Sequence, residues 1–284
     1  MTQDILVAFD LDQGSQLALA RGLQLAEQRS GQLTCLHVLD ERKPERLKAE
    51  EKRRALEAMR AALPPARRDD ESIVLRVSEG AVEERLLETA ALGDVDMIVV
   101  GAPRKRAIAG LWLGSTVERL LRYGPHPVLI TRQAAEGPYH KLCLALDESA
   151  SSRQALAKAK QLSFLGPETS LWAVHALRDP GRPLMAHAGI EGEAIAERSA
   201  RERSAAAARI DAQLHEAGVS QASVIVREAE PLDLVQESVE HFDIELLILG
   251  TRGSSGVKRL LLGSTAETLI AEVDCDVLAI PADM

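Results

Sequence analysis

The sequence predicts two tandem doubly wound α/β domains, each built around a five-stranded parallel sheet. Three observations carry that expectation. Short aliphatic runs alternate with longer amphipathic stretches, the order that βαβ units produce. The whole alternation occurs twice in 284 residues, a length that suits two ordinary domains. Matched landmarks also keep their spacing: 137 residues separate Asp10 from Asp147, and 138 separate His37 from His175. From Gly101 to Gly250 the interval is 149, so the register slips once, before the fourth strand.

The first-half strands are expected at Ile5–Phe9, Leu33–Val38, Ser72–Val77, Met97–Val100 and Pro127–Thr131. Those of the second half fall at Leu142–Leu146, Ser170–His175, Ala222–Val226, Leu246–Leu249 and Val277–Ile280. Continuous β-branched and aliphatic runs of this length suit strands covered on both faces. Between them, Ala18, Leu19, Leu23, Leu25 and Ala26 form an apolar helical stripe, and Ala155, Leu156, Ala159 and Leu162 repeat it. The extra length of the second half falls in RDPGRPLMAHAGIEGE (Arg178 to Glu193), whose Pro and Gly residues mark an irregular excursion. RQAAEGPYH (Arg132 to His140) links the halves, giving domains at 1–132 and 140–284.

Composition narrows the function. Hydrophobic residues make up 46% of the chain but aromatics only 2%, so the cores must be aliphatic. A net charge of −9 with few aromatics lacks both the cationic footprint and the stacking platforms of a nucleic-acid binder. No apolar run approaches the roughly 20 residues of a membrane span. No basic stretch followed by a long apolar one opens the chain, so a cytoplasmic location is expected. Cys35, Cys143 and Cys275 lie singly in apolar strand-like runs and read as buried structural thiols.

In parallel α/β sheets, ligands bind beyond the carboxyl ends of the strands, where the strand order reverses. One candidate loop there is GTRGSSGVKRLLLGST, Gly250 to Thr265. Glycines at 250 and 253 lack a Cβ and let backbone N–H groups approach an anion. Gly263-Ser264-Thr265 then opens a helix expected over 266–271, whose free N–H groups and positive dipole end favour phosphate. Arg252, Lys258 and Arg259 add charge. Read from glycine spacing alone, the same residues also suit a plain turn with a helix cap.

The spacing Gly250-x-x-Gly253, nine residues, Gly263-Ser264 resembles the ATP-binding motif of the universal stress protein family. Strands ending in Asp (VAFD, LALD) and the LHV-type second strand extend the resemblance over nearly the whole chain. It implies a Rossmann-like fold of the adenine-nucleotide alpha-hydrolase type, with two such domains packed as a pseudo-twofold pair through their fifth strands. It further implies ATP, with or without Mg²⁺, as ligand. Asp147 would contact the adenosine end, Ala145 and Leu146 would wall the adenine pocket, and backbone groups at Ala176 would bind the adenine edge. Gly250, Gly253, Gly263, Ser264 and Thr265 would hold ribose and phosphates, beside the charge that Arg252 adds. Read from the residues alone, Asp147 suits a ribose or hydrated Mg²⁺, or else the cap of a helix starting near Ser149.

The first half departs from the motif. Gly101, Gly114, Ser115 and Thr116 match, but Arg104 stands at the second glycine and Pro103 removes an N–H donor. Ordinary ATP binding is therefore expected in the second half alone, with Arg104-Lys105-Arg106 a solvated charge run or a separate anion site. No Walker A or GxGxxG loop and no histidine cluster of metal-ligand spacing occurs in the sequence. Three functions stay open at this level. They are an ATP-binding stress regulator working on a protein partner, a slow ATPase or phosphate-transferring enzyme, and a nucleotide-independent scaffold. Pairing of two chains as a homodimer is not specified by the sequence.

Overall fold

A computed structural model describes residues 3–102, 116–177, 192–252 and 262–282. Arg104, Gly114, Ser115 and Gly253 lie outside the described residues. The ten expected strands are all present, with ends displaced by at most two residues. In the first half they are β1 (Ile5–Ala8), β2 (Leu33–Leu39), β3 (Ile73–Glu79), β4 (Met97–Gly101) and β5 (Val128–Thr131). The second half contributes β6 (Lys141–Ala145), β7 (Ser170–Leu177), β8 (Ala222–Glu228), β9 (Leu246–Gly250) and β10 (Asp276–Ile280). Helices α1 (Gln13–Gln28), α2 (Glu45–Ala62), α3 (Val82–Leu92) and α4 (Thr116–Tyr123) lie between the strands of the first half. Among the described residues, α5 (Ala150–Gln161), α6 (Gly192–Glu216), α7 (Pro231–Phe242) and α8 (Ser264–Glu272) do so in the second.

The chain divides into two compact units. Of the described residues, one comprises those within 3–138, residue 262 and 275–282; the other comprises those within 139–252 and 263–274. In the first unit, β3-β2-β1-β4-β5 run parallel. Their order reverses between β1 and β4, the doubly wound pattern. The second unit repeats it as β9-β6-β7-β8, all parallel, reversing between β6 and β9. Both cores are aliphatic, as the composition requires: Leu6, Ile98, Leu129, Leu144 and Leu247 are buried in the strands. The apolar stripes face inward, with Ala18, Leu19, Leu25 and Ala26 of α1 and Ala155, Leu156 and Ala159 of α5 all buried.

β10 comes from the end of the chain yet belongs to the first unit. It pairs antiparallel with β5, placing Leu278 opposite Leu129 and Val277 opposite Ile130. This is the pairing of fifth strands that the family resemblance implied. A buried polar cluster holds it. The fully buried Asp276 opens β10, and its Oδ1 accepts the backbone N–H groups of Arg132 (2.7 Å) and Gln133 (3.0 Å). Its Oδ2 lies 3.6 Å from Nε of Arg21 on α1, a guanidinium that also donates to the carbonyl of Gly137 at 2.8 Å. A carboxylate removed from water needs such partners, and here several donors converge on it.

All three cysteines are buried thiols outside any disulfide. Burial pushes the Cys35 thiol up to about 12, and its Sγ lies 3.4 Å from Sδ of Met59. No helix among the described residues is long and apolar enough to cross a membrane.

Two outcomes are expected. Asp276→Ala leaves a buried guanidinium and two N–H groups without their carboxylate and should cost about 3–5 kcal/mol in urea unfolding. Asp276→Asn, which retains an acceptor, should cost less. A thiol-specific colour reagent at pH 8 should find no reactive cysteine in the native protein and three after unfolding.

Candidate functional site

The second unit places its polar loop residues around one cavity of about 490 Å³. The site begins where β6 ends. Leu146 continues the parallel ladder by donating its N–H to Val174 O at 3.0 Å, and the chain then leaves the sheet at the half-buried Asp147. Ser149 is the N-cap of α5, accepting from the N–H of Ser152 at 3.1 Å. Asp147 therefore braces the cap rather than forming it. Its Oδ1 accepts from Ser149 N (3.0 Å), from the Ser149 hydroxyl and from the Ser152 hydroxyl (2.6 Å). The Ser152 oxygen also accepts the N–H of Asp147 at 3.0 Å, clamping the residue from both ends. Among the described residues Oδ2 accepts nothing, so one carboxylate oxygen is held in place and the other is available.

β7 supplies the next wall. Nδ1 of His175 lies 2.8 Å from the carbonyl oxygen of Leu146. A carbonyl only accepts, so Nδ1 carries the proton and Nε2 is the acceptor of the neutral ring. His37 makes the same contact to Phe9 O at 2.7 Å, so the duplicated histidines share a structural bond.

β9 ends at Gly250, and the first turn of α5 lies directly against it. A Cβ at 250 would meet Ser151 Oγ at 2.6 Å and Ser151 O at 2.9 Å. The missing side chain thus serves helix packing before it serves any ligand. Ser151 Oγ accepts the N–H of Arg252 at 3.3 Å, and Gly263 N donates to Thr251 O at 2.8 Å. That bond brings the start of α8 beside the end of β9. Gly263 is the N-cap of α8 and has no side chain to occupy the free N–H groups. Ser264 and Thr265, both exposed, begin the helix two residues earlier than the expected 266.

Nine of the ten residues singled out in the sequence line this cavity: Ala145, Leu146, Asp147, Ala176, Gly250, Arg252, Gly263, Ser264 and Thr265. Gly253 lies outside the described residues. Ser152 and the apolar Pro231, Val235 and Leu269 line it as well, without having been anticipated. The serines had a visible signal in the ESASSR stretch after β6, since hydroxyls cluster at helix starts. The apolar wall had none, because its residues read as ordinary core positions of α7 and α8. The arrangement combines an apolar slot, a carboxylate, a guanidinium and a helix N-terminus. Its volume falls within the roughly 300–1,000 Å³ of small-molecule sites.

The first unit has a cavity of about 480 Å³ at its own β1–β4 reversal, lined by Asp10, Asp12, His37, Gly101, Ala102 and Thr116 among others. Its N-cap is Asp12, which accepts from Ser15 N at 2.8 Å. The Ser15 hydroxyl turns to the Asp12 carbonyl (3.0 Å) instead of bracing Asp10. A Cβ at Gly101 would lie 2.3 Å from the carbonyl carbon of Gly14, a closer approach than at Gly250.

The model of the universal stress protein family matches the chain over residues 1–132 and 138–281. Universal stress protein A homolog 2 of Coxiella burnetii is 32% identical over 142 residues, covering 49% of this chain and 91% of that protein. Universal stress protein E homolog of Haemophilus influenzae is 38% identical over 63 residues, 22% of this chain, and the match spans 20% of the Haemophilus protein. A universal stress protein from Archaeoglobus fulgidus shares the fold at 18% identity and a TM-score of 0.67, over 99% of this chain and 97% of its own.

The glycine contacts generate a direct expectation. Gly250→Ala and Gly101→Ala should each lower stability by about 1–3 kcal/mol in urea unfolding, because the methyl group meets helix backbone. Gly137→Ala, with open space around its Cβ position, should be near neutral.

Proposed function

The chain belongs to the universal stress protein family, and on that premise we propose that its second half binds an adenine nucleotide, ATP foremost, as a cytoplasmic regulator in the stress response. The observation that carries this reading is the convergence on one cavity of a carboxylate at the end of β6 and the open N-terminus of α8. Asp147, steadied through Oδ1, presents its other oxygen to ribose hydroxyls or to the hydration shell of a Mg²⁺ that accompanies the nucleotide. Ala145, Leu146 and Val235 offer apolar surface to a base, and the backbone of Ala176 on β7 offers hydrogen bonds to its edge. Arg252 and the N–H groups and hydroxyls of Ser264 and Thr265 suit the phosphates. Gly253 belongs to the same proposal from its place in the motif.

In this reading the domains are 1–132 and 140–284, and the first has given up ordinary ATP binding because Arg104 replaces the second motif glycine. A regulator of this kind needs different nucleotide affinities in two conformations, and a protein partner that reads the difference.

Calorimetric titration of the nucleotide-free protein with Mg-ATP is expected to give one site per chain, weakened at least about tenfold by Gly253→Arg. Two sites per chain would overturn the division between the halves. No binding would overturn the nucleotide reading.

A further inference from the structure

We propose that Ser152 is a positioning residue, whose hydroxyl fixes the Asp147 carboxylate in one orientation toward the ribose hydroxyls of a nucleotide. A serine at the N-cap, Ser149, makes that role possible. The proposal rests on nucleotide binding by the second unit. The buried Ser152 hydroxyl acts twice on one neighbour, accepting the Asp147 N–H at 3.0 Å and donating to Asp147 Oδ1 at 2.6 Å. Ser149, also buried, donates both its hydroxyl and its backbone N–H to the same Oδ1. The donor and acceptor roles are consistent, since each hydroxyl gives its one proton to a carboxylate that accepts. Shielded from water, these bonds restrain the torsions of the aspartate side chain.

The helix does not need the Ser152 hydroxyl. α5 is capped by the Ser149 oxygen, which accepts the backbone N–H of Ser152 at 3.1 Å. In an ordinary capping box, the side chain three residues after the N-cap reaches back to the N-cap N–H. Here Asp147 Oδ1 takes that N–H at 3.0 Å, and Ser152 reaches past the cap to Asp147. Its hydroxyl therefore serves the strand-end aspartate, not the helix.

The first unit shows the same serine beside a different cap. Ser15, 137 residues before Ser152, is likewise buried three residues after its N-cap. That cap is Asp12, whose carboxylate accepts the Ser15 N–H at 2.8 Å and, unlike the Ser149 hydroxyl, is an acceptor group. The Ser15 hydroxyl donates to the Asp12 carbonyl at 3.0 Å, and Asp10 Oδ1 accepts the Asp12 N–H at 3.0 Å. Asp10 is exposed, whereas Asp147 is half-buried. The steadying points to hydroxyls as the group that Asp147 reads. A hydroxyl's hydrogen bond is directional, while attraction to a hydrated cation depends mainly on distance. An oxygen fixed in advance suits the first and spares the ligand the cost of ordering the side chain.

The test is calorimetric titration of the full chain with Mg-ATP and with Mg-dideoxy-ATP, which lacks both ribose hydroxyls. Ser152→Ala, which keeps the cap, is expected to weaken ATP about three- to tenfold and dideoxy-ATP less than about twofold. In an Asp147→Asn background the same change should weaken ATP by less than about twofold further. Ser149→Asp keeps a capping side chain without a hydroxyl and should weaken ATP at least about threefold. Without nucleotide, NMR three-bond couplings should show one Asp147 χ1 rotamer in the parent protein and averaging in Ser152→Ala. Unchanged ATP affinity in either serine variant would overturn the proposal. So would equal losses for the two nucleotides, a further loss in the Asp147→Asn background, or χ1 couplings that Ser152→Ala leaves unmoved. A parent protein that binds ATP and dideoxy-ATP alike overturns it while leaving nucleotide binding intact. One that binds neither overturns the nucleotide reading as well.

Discussion

In both units, the first turn of one helix comes within contact distance of the last residue of a neighbouring strand. Gly14 of α1 lies against Gly101 of β4, and Ser151 of α5 lies against Gly250 of β9. In each case a Cβ on the strand residue would collide with helix backbone, so glycine is required for packing. The approach seats the helix N-terminus next to the strand end, so that the loop after the preceding strand must turn away sharply. Asp10 and Asp147 stand in those turns. The cavities, the caps and the histidine bonds to Phe9 and Leu146 are all arranged around this contact.

One local change separates the two copies of that contact. Where the first unit has Gly14, the second has Ser151, whose hydroxyl accepts the N–H of Arg252. The following serine of the pair holds Asp147, while its counterpart Ser15 bonds to the backbone of Asp12. The same backbone frame therefore carries a steadied carboxylate near a guanidinium in one unit, and two carboxylates in the other. Duplication kept the geometry that glycine enforces and let the side chains above it diverge.

Much of this was legible in the sequence because it depends on local pattern. The aliphatic runs marked all ten strands, and the Gly-Ser-Thr stretch at 263–265 marked the helix start to within two residues. Nine cavity residues followed from the motif and from the ends of the strands. What stayed hidden depends on long-range partners. Asp276 looked like a residue just before a strand, yet it receives N–H groups from Arg132 and Gln133 and faces Arg21 across the fold. Gly250 looked like a ligand-facing glycine, and its first neighbour is the turn at Ser151. Val235 and Leu269 carry the helical periodicity of any core residue, so nothing local distinguished a cavity wall from a packed interior. The left-handed backbone of Leu11 goes against the propensity of leucine and had no local cue.

The membership of β10 in the first unit bears on how the chain is made. A ribosome releases β1 to β5 early, but the strand that covers β5, and the carboxylate that satisfies Arg132 and Gln133, emerge only after the second unit has been synthesised. Until then β5 presents an open edge of Val128, Leu129 and Ile130, the kind of surface that pairs indiscriminately. The nascent first unit must wait with that edge uncovered through translation of everything up to residue 276. Its exposure to chaperones, and its risk of misassembly, is set by the speed at which the second half is translated.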